Sequence, residues 1–252
     1  MKKIATLTVA LVSVVALAAT AQTDGFLELV KTATALQVQE ALQHGADLNA
    51  RDNYGRTLLM HAAMSNRNPD VISALLKAGA DINARDNYGW TALMLAASGN
   101  QNPGVISALL QAGADLSARD RYGQTPLILA AWGSQNPGVI SALLQGGADL
   151  NARDRYTLTA LMYAASSNQN TEVIAALLKA GADVNVQIKD GWTPLMIAAG
   201  KNQNPEVIMV LLGAGADAKA KNSEGKTAFD YAKNNAKLNG TDAFRQLQEA
   251  SH

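Results

Sequence analysis

The chain has 252 residues, 48% of them hydrophobic and 17% charged, enough apolar content for a folded core and too little charge for a disordered chain. Basic and acidic residues balance at 21 each, so nothing in the charge points to nucleic acid, which calls for a basic stripe facing phosphate. The sequence contains no cysteine, which excludes disulfides, thiolate metal sites, cysteine nucleophiles and a lipidated-cysteine anchor.

The first element is a leader. Lys2 and Lys3 precede an uncharged, mostly apolar run from Ile4 to Ala18, and Ala19-Thr20-Ala21 places small residues where a signal peptidase reads, with Gln22 following. This is the pattern of a secretory signal of bacterial type, over residues 1–21, and it predicts a periplasmic or secreted protein. The run is shorter than the ~20 residues of a spanning helix, so stable membrane insertion is not expected after cleavage. Residues 22–51 then read as a capping helix pair, with Phe26-Leu27-Glu28-Leu29-Val30 and Val38-Gln39-Glu40-Ala41-Leu42 as its apolar cores.

The triplet Gly-Ala-Asp begins at Gly45, Gly79, Gly113, Gly147, Gly181 and Gly215, always 34 residues apart. Such a period predicts an array of one small module, each burying its apolar face on the next. In the module 86–119, Asp86-Asn87-Tyr88-Gly89 is a turn with Gly89 at positive φ. Thr91 caps a first helix from about Ala92 through Ala97, and Asn100-Gln101-Asn102 breaks it. Asn102 caps a second helix with Pro103 at its first position, where a missing N–H is harmless. Val105, Ile106, Leu109 and Leu110 make one apolar face, and Gly113 ends the helix. Four further copies give five repeats over 52–221. Thr227-Ala228-Phe229 opens a C-terminal capping repeat over 222–252, closed by a polar helix with Phe244 and Leu247 inward.

These modules resemble ankyrin repeats. The resemblance rests on Thr125-Pro126-Leu127 and Thr193-Pro194-Leu195, on Thr57-Leu58-Leu59, Thr91-Ala92-Leu93 and Thr159-Ala160-Leu161 without the proline, on the paired alanines, and on the Gly-Ala-Asp ending. It implies an all-α repeat solenoid of stacked helix-turn-helix units with short β-like finger turns. A 34-residue period is also the tetratricopeptide length, but the Trp and Tyr landmarks of that family are out of place here. The extra residue falls in the Asn-rich link, as in Ser65-Asn66-Arg67-Asn68-Pro69. Three departures from the family pattern stand out. Met60, Met94, Ile128, Met162 and Met196 replace the histidine that ties adjacent turns, which predicts apolar packing in place of a polar tie. Thr157 replaces the turn glycine of the fourth repeat, which predicts strain. Ile188 and Asp190 replace Asp and Tyr in the fifth turn, so its tip should differ.

Catalytic chemistry finds no foothold. His44, His61 and His252 lie in different modules, and no serine-elbow motif is present. Gly213-Ala214-Gly215-Ala216-Asp217-Ala218 matches a dinucleotide loop in letters but ends a helix where that loop would start one. Asp81, Asn83, Asp86, Asp115 and Asp120 lack the glycine and bidentate acid of a calcium loop and read as turn caps that pair with Arg85 and Arg119. Asn239-Gly240-Thr241 carries little meaning behind a bacterial-type signal. The chain is therefore expected to be a non-enzyme, without cofactor or metal.

Comparing the repeats with one another shows where they differ. The residue after the turn glycine reads Arg56, Trp90, Gln124, Leu158, Trp192, Lys226, and a first-helix column reads His61, Leu95, Leu129, Tyr163, Ile197. The residues after the paired alanines also vary, through Trp132-Gly133 to Gly200-Lys201. The family resemblance implies that finger tips and first helices line a concave binding face. Candidate partner-binding residues are therefore Tyr54, Arg56, Tyr88, Trp90, Tyr122, Gln124, Trp132, Tyr156, Leu158, Tyr163, Trp192 and Lys201, since aromatic and arginine side chains dominate interface energetics. The expected partner is another protein, bound by a monomer. The alternative is a periplasmic accessory factor supporting an exported enzyme or a stress response.

Overall fold

Six threonines start first helices by the same bond, Thr91 accepting from Met94 N–H and Thr227 from Asp230 N–H among them. Thr57, Thr125, Thr159 and Thr193 hold extended backbone, and each Oγ1 accepts the N–H three residues on, from Met60, Ile128, Met162 and Met196. That satisfies one of the donors a helix start leaves open. The structure, a computed structural model, describes residues 23–251; the expected signal over residues 1–21, Gln22 and His252 lie outside the described residues.

The leading pair is α1 (Thr23–Leu29) and α2 (Ala35–Gln43). The repeats follow as α3 (Leu58–Ser65) with α4 (Pro69–Lys77), α5 (Ala92–Gly99) with α6 (Pro103–Gln111), and α7 (Pro126–Gly133) with α8 (Pro137–Gln145). Next come α9 (Ala160–Ser167) with α10 (Thr171–Lys179), a single 3-10 turn Lys189–Gly191, and α11 (Pro194–Lys201) with α12 (Glu206–Gly213). The closing pair is α13 (Ala228–Ala232) and α14 (Asp242–Ala250). First helices run two residues past the paired alanines, further than the expected Ala97.

The described residues contain no strand, and the fingers are turns with one isolated bridge, Arg51 to Thr57. The fold is thus an all-helical repeat solenoid. The described residues divide into two bodies, one from residues 23–96 with 104–115, the other from 97–103 with 116–251. In the first body α1 packs on α3, and α2 and α3 both pack on α4. In the second, the first helices α7, α9, α11 and α13 pack in series, as do α8, α10, α12 and α14.

The apolar columns supply the core. Leu59, Leu93, Leu127, Leu161 and Leu195 are buried, and so are Val71, Ile72 and Leu75 with their counterparts in each second helix. Each such side chain contributes about 1.5–3 kcal/mol by leaving water. The paired alanines are wholly buried, so the helix backbones approach closely. Second helices end at the glycine of the Gly-Ala-Asp triplet. Gly79, at φ 101°, turns the chain so that Ala80 N–H reaches back to the Leu75 carbonyl, the left-handed helix ending.

The Asn-rich link is the largest surprise of the fold. Asn168 is wholly buried, and its Nδ2 donates to the carbonyls of Ala131 and Ser134, at 2.9 and 2.8 Å, in the preceding repeat. Asn66, Asn202 and Asn235 do the same for Val30 and Ala33, for Ala165 and Asn168, and for Ala199 and Asn202. These are carbonyls at and beyond helix C-termini, which have no intrahelical partner. A second column two residues on repeats the device: Asn136, Asn170 and Asn204 donate to the carbonyls of Gln101, Gln135 and Gln169. The Oδ1 atoms of Asn68, Asn136 and Asn170 meanwhile cap the second helices.

Candidate functional site

Four of the fingers take their shape from one carboxylate each. Oδ1 of Asp52, Asp86, Asp120 and Asp154 accepts the backbone N–H two and four residues on, closing the turn. Asn222 does the same in the closing repeat. Neighbouring fingers are joined by backbone bonds, Asn87 N–H to the Tyr54 carbonyl and Arg155 N–H to that of Tyr122, both at 2.9 Å. The arginines at the finger bases donate to carbonyls: Arg119 Nη1 lies 2.7 Å from both the Gly123 and the Arg153 carbonyl oxygens.

Met60, Met94, Ile128, Met162 and Met196 are buried, as the apolar packing expected of them requires, and a different polar tie appears one position further along the first helix in the first, fourth and closing repeats. His61 Nε2 lies 3.1 Å from Asp52 Oδ2, Tyr163 Oη donates to Asp154 Oδ2 at 2.7 Å, and Asn222 Nδ2 donates to Tyr231 Oη at 2.6 Å. Each bond joins a first helix to its own finger. Burial pushes the Tyr163 phenol up, and the bonded Asp154 carboxylate pushes it the same way, while the Gln124 side chain opposes them. Burial likewise lowers the His61 imidazole, with Asp52 pulling against it, and Nδ1 is buried without a partner. The ring is therefore neutral near pH 7, with its Nε2–H donated to Asp52. Burial works to raise the Asp52 carboxyl, but the Arg56 and Tyr54 N–H groups and His61 together hold it low.

The candidate residues fall into several settings. In the first body, Tyr54 and Tyr88 sit 6.4 Å apart between ring centroids, and the Arg56 guanidinium lies 5.2 Å above the Tyr54 ring. Arg56 Nε is also 3.5 Å from the buried Asp86 Oδ2. Trp90 is half-buried. In the second body, Gln124 and Tyr163 meet, and Arg121 lies over the Tyr122 ring at 4.8 Å. Trp132, at the end of α7, is 50% exposed, and Tyr54, Tyr122 and Tyr156 are 53, 41 and 63% exposed, so these four rings are offered to solvent. Trp192 is half-buried and stacks on Tyr231 at 4.4 Å, which gives it a structural role.

Four candidates meet at one place. Tyr156, Leu158, Trp192 and Lys201 line an open cleft of about 240 Å³ together with Ile188 and Ile197. Ile188 was legible as a break in the aspartate column, but its place in a cleft wall was not, because nothing local to the fifth turn says what its side chain faces. Among the described residues no cluster of His, Cys, Asp and Glu could hold a metal ion. No helix among them is long and apolar enough to cross a membrane.

Comparison with known proteins agrees with the repeat reading. A family model described as ankyrin repeats (3 copies) matches residues 17–120, 84–154, 101–188 and 161–249. The crystal structure of the human ASB11 ankyrin repeat domain is similar in fold, with a TM-score of 0.76 at 24% identity over 90% of this chain and 97% of that one. No curated protein matches the chain.

Proposed function

The chain belongs to the ankyrin-repeat family, and from that premise we propose that it is a non-enzymatic scaffold that binds another protein through its fingers and first helices. Ankyrin repeats are in general protein–protein interaction modules. One observation carries the reading to particular residues: Trp132, Tyr54, Tyr122 and Tyr156 expose large aromatic surface on fingers and a first-helix end, while the leucine column beneath does not vary. Rigid aromatic rings offered to solvent are the anchors from which protein interfaces draw most of their affinity. The leader-like pattern of residues 1–21 supports export as part of the same proposal, with the periplasm or medium as the place of binding.

Affinity capture tests it. The chain is immobilised and exposed to a cell-envelope extract, in parallel with a Tyr54/Tyr122/Trp132/Tyr156→Ala variant of unchanged helicity. Specific bands lost with the variant support the surface; bands unchanged by it reject the surface. Mapping the N-terminus of protein recovered from the envelope tests export: Gln22 as first residue supports cleavage, and retained Met1 refutes it.

A further inference from the structure

Ile188 breaks a rule that the other turns obey. Asp52, Asp86, Asp120, Asp154 and Asn222 each accept two backbone N–H bonds at this place, and an isoleucine can accept neither. The fifth finger compensates by winding through the 3-10 turn Lys189–Gly191, which puts Asp190 at φ 67°, ψ 14°. The preceding finger is also unusual, with Thr157 at φ 65° in the glycine column. These are the two non-glycine residues at positive φ among those described, and such backbone is tolerated only where its surroundings enforce it.

Both departures flank the cleft. Thr157 lies between Tyr156 and Leu158, and Asp190 between Ile188 and Trp192. Local rules broken twice in adjacent fingers, around one concavity, are the mark of a site. At about 240 Å³ the cleft is smaller than the ~300–1,000 Å³ usual for small molecules and cofactors. It suits one large side chain. Its walls are apolar except for Lys201, the Tyr156 hydroxyl and the Trp192 indole N–H. Among the described residues Lys201 Nζ has no carboxylate within ion-pair distance, and the adjoining tips of the fourth and fifth fingers carry exposed Arg155 and Lys189 against one exposed acid, Asp190.

We propose that this cleft receives an aliphatic or aromatic side chain of a partner protein's extended segment, with a carboxylate beside it held by Lys201. The proposal rests on the protein-binding reading above and names the chemistry of what is bound. The carboxylate can come from an Asp or Glu side chain or from a chain terminus.

Fluorescence anisotropy on the full chain with four labelled hexapeptides tests it. One carries an internal Phe-Asp-Asp and an amidated end, one ends in Phe with a free carboxylate, one carries Phe-Lys-Lys, and one Ala-Asp-Asp. At least one of the first two should bind tenfold or more tightly than both of the others, and which one does identifies the carboxylate's source. Lys201→Glu should invert the preference toward Phe-Lys-Lys. Ile188→Asp restores the turn cap, so it should fold at least as stably as the parent while losing peptide binding tenfold or more. Equal binding of acidic and basic peptides, an unchanged preference in Lys201→Glu, or full binding by Ile188→Asp would each overturn the proposal. If no peptide binds while envelope capture still depends on the exposed aromatic rings, the cleft is rejected and the wider protein-binding reading survives.

Discussion

Replacing Asn168 with alanine isolates the contribution of the asparagine column. The side chain is wholly buried and makes three bonds: two from Nδ2 to the Ala131 and Ser134 carbonyls, and one accepted at Oδ1 from Asn170 N–H at 2.9 Å. Each buried bond is worth about 1 kcal/mol net, and each abandoned buried group costs about 1–3 kcal/mol. Water entering from the exposed neighbours Ser167 and Gln169 would recover part of that second cost. The expected loss is therefore about 3 kcal/mol. With a urea slope of about 2 kcal/mol per molar, the midpoint falls by about 1.5 M. Repeat arrays can unfold in stages, so amide exchange in α7 and α9 should be read alongside and should accelerate locally. Asn87→Ala is the control, because Asn87 is exposed and its amide makes one long bond, 3.3 Å to the Asn53 carbonyl. Its loss should stay below about 1 kcal/mol. Indistinguishable midpoints for the two variants would refute the capping role assigned to the buried asparagines.

Three further outcomes are expected. The His61 imidazole is lowered from its ordinary 6.5, chiefly by burial, so the unfolded chain binds the extra proton first. Its contribution is complete above about pH 6.5 and is lost as pH falls from there through the folded value; His61→Leu, the residue type of the next two repeats, should flatten that part of a stability-versus-pH curve. Thr157→Gly relieves the φ of 65° and should raise thermal or urea stability by about 0.5–1 kcal/mol, strain relief slightly exceeding glycine's entropy penalty. Trp132→Ala should change stability by less than about 1 kcal/mol yet weaken capture, whereas Trp192→Ala loses its stack on Tyr231 and should cost about 2 kcal/mol. A large stability loss at Trp132 would reassign it to the core.

Much of the scaffold was readable because its signals are local. The Thr and Asn caps, the Pro at first helical positions and the Gly of each triplet act within four residues of themselves, and the helices start where those residues say. Thr157 was flagged as strained from its column alone, and it does sit at positive φ. The buried asparagines were misread as mere helix breakers because their partners lie 33–37 residues away. Their recurrence at the repeat period was the available signal: a link that only had to break a helix would have no reason to keep the same amide in register. The ties of His61 and Tyr163 were missed for a related cause. The family pattern puts its histidine where Met60 and Met162 stand, and here the polar side chain sits on the next residue, one step round the helix. The candidate surface was legible as variable columns, but variability does not tell exposure from packing, and so Trp132 and Trp192 looked alike in the sequence.

The asparagine column also bears on how such an array can grow or shrink. Asn66, Asn168 and Asn202 each close off the helix of the module before them, whereas the third repeat carries Ser134 at this place, so a 34-residue segment that keeps the asparagine carries half of such a joint. Duplicating or excising a period between two asparagine seams leaves those seams complete, while a cut made partway through strands the carbonyls that the amide would have met. Asn235 gives the closing pair the same half-joint, so the last full repeat ends on the kind of seam that joins the repeats before it.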